Sequence, residues 1–203
     1  MQTTKLTLTN SALTVLKLIG ISAMLLDHYN SFVKPVYSPA LFELGRLALP
    51  LFVFVLGYNL ARIPTAKMPS LMARLLFFGI ISTPLYNILG AGLWHWWPLN
   101  ILFTLLVATC CVYLLTLPVP KHLSVLTRLA AILLLALAAS LVDYLWVGPA
   151  LVVVIWRLFT APKRLERNLL YVVLVVLTVL LCVLNDSLAA LLALPVILLC
   201  VPL

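Results

Sequence analysis

Residues 11–29 read SALTVLKLIGISAMLLDHY. As a helix this run rises about 28 Å, close to the hydrocarbon thickness of a bilayer. Seven further apolar segments follow: Leu41 to Ala61, Leu71 to Gly90, Pro98 to Leu117, Leu123 to Val142, Val147 to Thr160, Leu169 to Leu184 and Ser187 to Val201. A spanning helix needs roughly 17–25 residues, which the first five segments meet and the sixth and eighth do not. The whole chain agrees, at 65% hydrophobic residues, 9% charged and a mean hydropathy of +1.23. A soluble domain carries about 25% charged residues. The sequence therefore predicts an all-α fold, a polytopic helical bundle integral to a membrane, with about eight transmembrane helices. Residues 1–203 form one transmembrane domain with no separate soluble unit. The first run contains a lysine and is followed by no small-residue cleavage site, so it is expected to stay as a span.

The net charge of +8 would point to nucleic acid in a soluble protein. Here its distribution points to topology instead. With eight spans and both termini cytoplasmic, Lys5, Lys17, Arg62, Lys67, Arg74, Lys121, Arg128, Arg157, Lys163, Arg164 and Arg167 fall on the inner side. Only Lys34 and Arg46 fall outside, a strong positive-inside bias. No nucleic-acid partner is expected, and the bilayer is. The uncharged tryptophan-rich stretch Gly92 to Pro98, with Tyr144 and Trp146 in the next outer loop, suits the headgroup layer or the grip of an outer substrate. No repeat of transporter type is evident. Cys110, Cys111, Cys182 and Cys200 lie in apolar runs without metal-ligand spacing, and His28, His95 and His122 give no metal site.

In so apolar a chain each ionisable group inside a span is costly and thereby informative. The first two spans hold Lys17, Asp27, His28, Glu43 and Arg46. Lys17 and His28 are eleven residues apart, so they share one helix face about 16 Å apart, with Ile21 and Met24 between them. Two readings stand: a seam for an elongated molecule threaded through the membrane, or a snorkelling lysine and an unrelated interfacial histidine. Asp27 or Glu43 is a candidate partner for His28, and Glu43 and Arg46 are spaced to pair on their own helix. Arg62, Lys67 and Arg74 are topology charges or the first contacts of an anionic ligand. Asn100 and Thr104 form a polar stripe on the fourth segment, and Pro50 and Pro84 are expected to kink their helices and free carbonyls. Together these features place a cavity among helices one to four, over residues 11–117. Residues 123–201 are expected to be a packing scaffold.

The stretch Leu16-Lys-Leu-Ile-Gly-Ile-Ser-Ala-Met-Leu-Leu-Asp-His28 resembles the opening of the TraX family, as do Gly45-Arg-Leu-Ala-Leu-Pro-Leu-Phe52 and Asn100-Ile-Leu-Phe-Thr-Leu105. Arg74-Leu-Leu and Pro84-Leu-Tyr lie between them in order, and the likeness covers residues 14–107. The resemblance implies a bacterial inner-membrane acetyltransferase that acetylates the N-terminal amine of the pilin subunit of F-type conjugative pili. The Lys17 to His28 spacing is similar to that of the basic residue and histidine of the acyltransferase 3 family. That likeness implies that Lys17 helps to hold coenzyme A and that His28 is the base or transient acyl acceptor. Joined to the reading of the charges, it leads to acetyl-CoA as co-substrate with its phosphates on Lys17, Arg62, Lys67 and Arg74, to His28 oriented by Asp27 or Glu43 with Arg46 beside the oxyanion, and to no metal. A glycan or lipid hydroxyl as acceptor, a proton-coupled transporter and a noncatalytic pilus-assembly protein are the alternatives.

Overall fold

A computed structural model describes residues 8–33, 35–90, 97–138 and 140–200. Lys5, Lys34, His95 and most of the tryptophan-rich stretch lie outside them. The described chain is all-helical. Three of its helical stretches, Asn10–Val33, Pro39–Leu60 and Arg164–Asn185, are long and apolar enough to cross a membrane.

Each apolar segment contains a helix, but the second is cut in two. Helix α1, Asn10–His28, starts at Thr9, whose hydroxyl accepts from the Ala12 N–H at 3.2 Å. It ends in a π-helical turn over Tyr29–Val33. Asn30, buried in that turn, donates to the Ser38 carbonyl at 3.1 Å and accepts from its N–H at 2.8 Å, which closes the connection onto the next helix. Helices α2, Pro39–Gly45, and α3, Ala48–Leu60, replace the single second span. Pro50 explains the break: it has no N–H for the carbonyl four residues earlier, that of Arg46, and its ring crowds that carbonyl. In the first turn of α3 the same proline costs little.

Helix α4 covers Met68–Gly90 without a break at Pro84, and α5 covers Ile101–Thr116. Asn100 caps α5 by accepting from the Leu102 N–H at 3.0 Å, which is why the fourth segment starts three residues later than Pro98. Helices α6, Lys121–Ala138, α7, Val147–Thr160, α8, Arg164–Asn185, and α9, Ala189–Cys200, complete the bundle. Helix α8 starts five residues earlier than the apolar run suggests. Glu166 in its first turn favours the start through the helix dipole and pairs with Arg157 of α7 at 2.5 Å.

Helices α3 and α7 form the centre. Gly57 lets them approach, since a Cβ there would fall 2.7 Å from Ile155 Cγ2. Phe54, Val152 and Ile155 are fully buried at this contact. Helices α1 and α9 pack on α3, α8 packs on α7, and α5 touches both central helices while carrying α4 and α6 outside. Outward faces are apolar: Val15 and Leu18 on α1, Phe77 and Ile80 on α4, Val125 and Ile132 on α6, and Val172 and Val183 on α8 are all exposed. Such a surface is stable against lipid rather than water.

Candidate active site

Helix α1 runs antiparallel to the α2–α3 pair. The Leu8 N–H donates to Tyr58 Oη at 3.0 Å, Gly20 lies against Phe52, and Asp27 lies against Gly45. At the Asp27 end these helices enclose one side of a cavity of about 870 Å³. Ile21, Met24 and His28 line it from α1, in the register that a 100° step per residue requires. Gly45, Arg46 and Phe52 line it from the broken second span, Ser82 from α4, and Asn100 and Leu105 from α5 with its cap. The other side comes from the C-terminal half: Val142 to Leu145 between α6 and α7, and Leu184 and Asn185 at the end of α8. The division into four cavity helices and four scaffold helices therefore does not describe this cavity.

Arg46 Nη2 meets Asp27 Oδ2 at 2.7 Å, with both side chains mostly buried at 19% and 18% exposure. The guanidinium also lies over the Phe42 ring, 4.4 Å from its centre. Gly45 makes the pair possible, because a Cβ there would stand 2.7 Å from Asp27 Cγ. Arg46 thus pairs across helices and not with Glu43. Glu43 turns away from the cavity and accepts from Ser187 Oγ at 2.5 Å, tying α2 to the α8–α9 turn. His28, the residue after Asp27, is half-buried and lines the same cavity, with Phe32 one turn on at 5.8 Å between ring centres.

Asn100 faces the cavity and joins α5 to α4. Its Nδ2 lies 3.0 Å from the Gly79 carbonyl, 3.1 Å from Ser82 Oγ and 2.9 Å from Thr83 Oγ1. Gly79, one turn before Pro84, also accepts from Thr83 Oγ1 at 2.8 Å. Thr104, four residues on, is fully buried behind the wall, where its hydroxyl donates to the Asp143 carbonyl at 2.8 Å.

Four expected ligand cations lie elsewhere. Lys17 is exposed on α1 and does not line the cavity, whose floor closes at Ile21 and Phe52, one turn short of it. Arg62, Lys67 and Arg74 are exposed around the α3–α4 connection, at the opposite end of α3 and about 18 Å along it from Ala48. Arg62 rests over the Tyr58 ring, and Arg74 Nε donates to the Ser70 carbonyl.

Asp143 and Asn185 are the cavity residues that sequence reasoning passed over. Burial pushes the Asp143 carboxyl up to about 6, against the opposing pull of the Arg46 charge. The available signal was scarcity: Asp143 is one of five acidic residues, at the end of an apolar run.

The profile of the TraX protein family matches residues 12–202. This chain belongs to the TraX family. The match runs through the C-terminal half, well beyond the motifs legible up to residue 107. Protein TraX of Escherichia coli is 33% identical over 159 residues, which cover 75% of this chain and 58% of that protein. The chain thus spans under two thirds of the length of the curated relative it matches. No solved structure matches it. Asp27, His28, Arg46 and Asn100 of this TraX-family chain, each within a stretch that carried the resemblance, meet at one cavity.

Proposed function

We propose that this chain is a membrane-embedded acetyltransferase, moving an acetyl group from cytosolic acetyl-CoA to the N-terminal amine of a conjugative pilin subunit. The observation that carries this reading is the meeting of His28 with the Asp27–Arg46 pair at one large cavity in a chain of this family. The protein sits in the bacterial inner membrane with eight spans and both termini inside, as the charge distribution favours. The Arg62 end then faces the cytosol and the His28 end faces outward.

Coenzyme A phosphates are held by the exposed Arg62, Lys67 and Arg74. To reach His28 from Lys17 its thioester arm has to pass the floor that Ile21 and Phe52 close. His28 removes a proton from the acceptor nitrogen as that nitrogen attacks the thioester carbonyl, and the Arg46 N–H groups steady the oxyanion. When the intermediate collapses, the carbon–sulfur bond breaks and coenzyme A leaves as its thiol, taking back the proton from His28. The amide bond remains on the acceptor. A two-step route through acetyl-His28 balances equally, with the acetyl group resting on the imidazole between the two transfers.

Membranes containing the full chain, given labelled acetyl-CoA and pilin, test the reading. Label is expected in an amide at the pilin N-terminus. Label in a glycan or lipid ester moves the chemistry to a hydroxyl acceptor, and label nowhere removes the acetyltransferase.

A further inference from the structure

Two of the five acidic residues of the chain, Asp27 and Asp143, line the cavity. Asp27 has no oxygen to offer there: Oδ2 is held by Arg46 at 2.7 Å, and Oδ1 is buried against Gly45. Glu43 is turned to Ser187, Glu166 is paired with Arg157, and Asp186 ends α8. Asp143 differs from all four. It lines the wall with a carboxylate to which no described residue hydrogen-bonds.

The backbone fixes where this carboxylate stands. The Asp143 N–H donates to the Leu99 carbonyl at 2.9 Å and the Asp143 carbonyl accepts from Thr104 Oγ1 at 2.8 Å, so both are tied to the start of α5. The next two residues, Tyr144 and Leu145, are both left-handed, at φ 63° and 49°. Neither is glycine, and such conformations are rare in other residues and collect at functional sites. Around the cavity stand Asp27 and His28 from α1, Arg46 from the α2–α3 break and Tyr144 from the same turn as Asp143. The remaining walls contribute the uncharged Ser82, Asn100 and Asn185. Asp27 neutralises Arg46, so an ionised Asp143 carries a charge that no ion pair cancels. Burial raises its carboxyl to about 6, and the opposing pull of Arg46 does not restore the ordinary value. At neutral pH such a group is ionised, yet it takes up a proton more readily than an ordinary carboxylate.

An α-amine titrates at about 8, so the acceptor reaches the cavity mostly as an ammonium ion with two protons to lose before it becomes an amide. His28 carries one of them to the departing thiol, and the other needs a second acceptor. We propose that Asp143 is a second catalytic base, which takes the first proton from the acceptor ammonium before the thioester is attacked. The N–H bond breaks, an O–H bond forms on Asp143, and the electron pair left on nitrogen becomes the nucleophile. Asp143 returns the proton to water after the amide leaves, so one proton is released for each acetyl group transferred. The inference rests on the acyl-transfer reading and adds a step to it.

The test gives the full chain, in detergent micelles, labelled acetyl-CoA and one of two acceptors at low concentration. One is pilin with its free α-amine. The other is pilin whose first residue is replaced by aminooxyacetic acid, a nitrogen too weakly basic to hold a proton at neutral pH. The amine rate divided by the aminooxy rate cancels pH effects common to both, that of His28 included. In the unaltered chain this ratio is expected to stay level, within about threefold, from about pH 6 to about 7.5, because Asp143 supplies the free amine inside the cavity. In Asp143→Asn it is expected to rise about tenfold per pH unit, since that variant waits for free amine from solution. Asp143→Glu is expected to follow the unaltered chain. A merely structural loss would lower both rates alike and leave the ratio level. A ratio that climbs tenfold per unit in the unaltered chain, which needs no variant to fold, overturns the second base. So does a ratio that stays level in Asp143→Asn. Either result, obtained while label is transferred, leaves the acyl-transfer reading standing. If the unaltered chain labels neither acceptor, that reading fails and the second base falls with it.

Discussion

Arg46 reaches across from the break in the second span to Asp27 in the last turn of α1, Nη2 to Oδ2 at 2.7 Å. The break, the ion pair and the cavity wall are one construction. Pro50 ends the hydrogen-bond ladder at Arg46, Gly45 supplies the space, and the guanidinium closes the gap between helices.

Removing one partner should cost more than removing both. Asp27→Asn or Arg46→Gln each leaves a mostly buried charge unpaired, and should destabilise the protein by about 2 kcal/mol, between the values for exposed and deeply buried pairs. The double variant should recover part of that loss. Thermal unfolding in detergent, read as a double-mutant cycle, checks this, and additive losses would show that the pair is uncoupled.

Gly45→Ala should act on the same pair through volume. The new methyl would overlap Asp27 and push α1 from α2, at a cost of about 1–3 kcal/mol. Gly20→Ala is the comparison: its Cβ would meet only the edge of the Phe52 ring at 3.3 Å, so a smaller loss of unfolding temperature is expected.

His28→Ala should lower acetylation by about 10²–10⁴-fold while the protein stays in the membrane at normal abundance. Mass spectrometry of the acceptor, with quantitation of the membrane-bound variant, gives the answer. Full acetylation would remove His28 from the mechanism.

Asp143 should leave a pH signature on stability. Its folded value, about 6, lies above the ordinary 3.8, so the native state favours the neutral acid. The resulting stabilisation is complete below about 4 and is lost as pH rises through 6. Asp143→Asn, permanently neutral, should therefore unfold a few degrees higher than the unaltered chain at pH 8 and at the same temperature near pH 4. Equal midpoints at both pH values would mean that the carboxyl is not held in a desolvated setting.

Lys17→Ala should leave unfolding unchanged, because the residue is exposed on α1 and touches no cavity wall. A raised KM for acetyl-CoA at constant kcat is the effect expected if its charge helps to hold the co-substrate. A fall in kcat alone would assign Lys17 to the chemistry.

Much of this was legible in the chain alone. Transfer of apolar side chains to lipid is a local property, so each apolar segment located a helix, and three helical stretches have the length and composition to cross a membrane. Helical geometry is local too, which is why Ile21, Met24 and His28 share the face that lines the cavity, and why Pro50 marks the break. The tertiary structure alone decided who meets whom. Glu43 had a plausible partner three residues away and took Ser187 instead, 144 residues on. Arg46 turned to Asp27, and Asp143 and Asn185 arrived from the half of the chain assigned to packing. Periodicity records which way a side chain leaves its own helix, but not which other helix lies there. Only the packing of α3 and α7, and the elements arranged around them, brings those distant groups to one cavity.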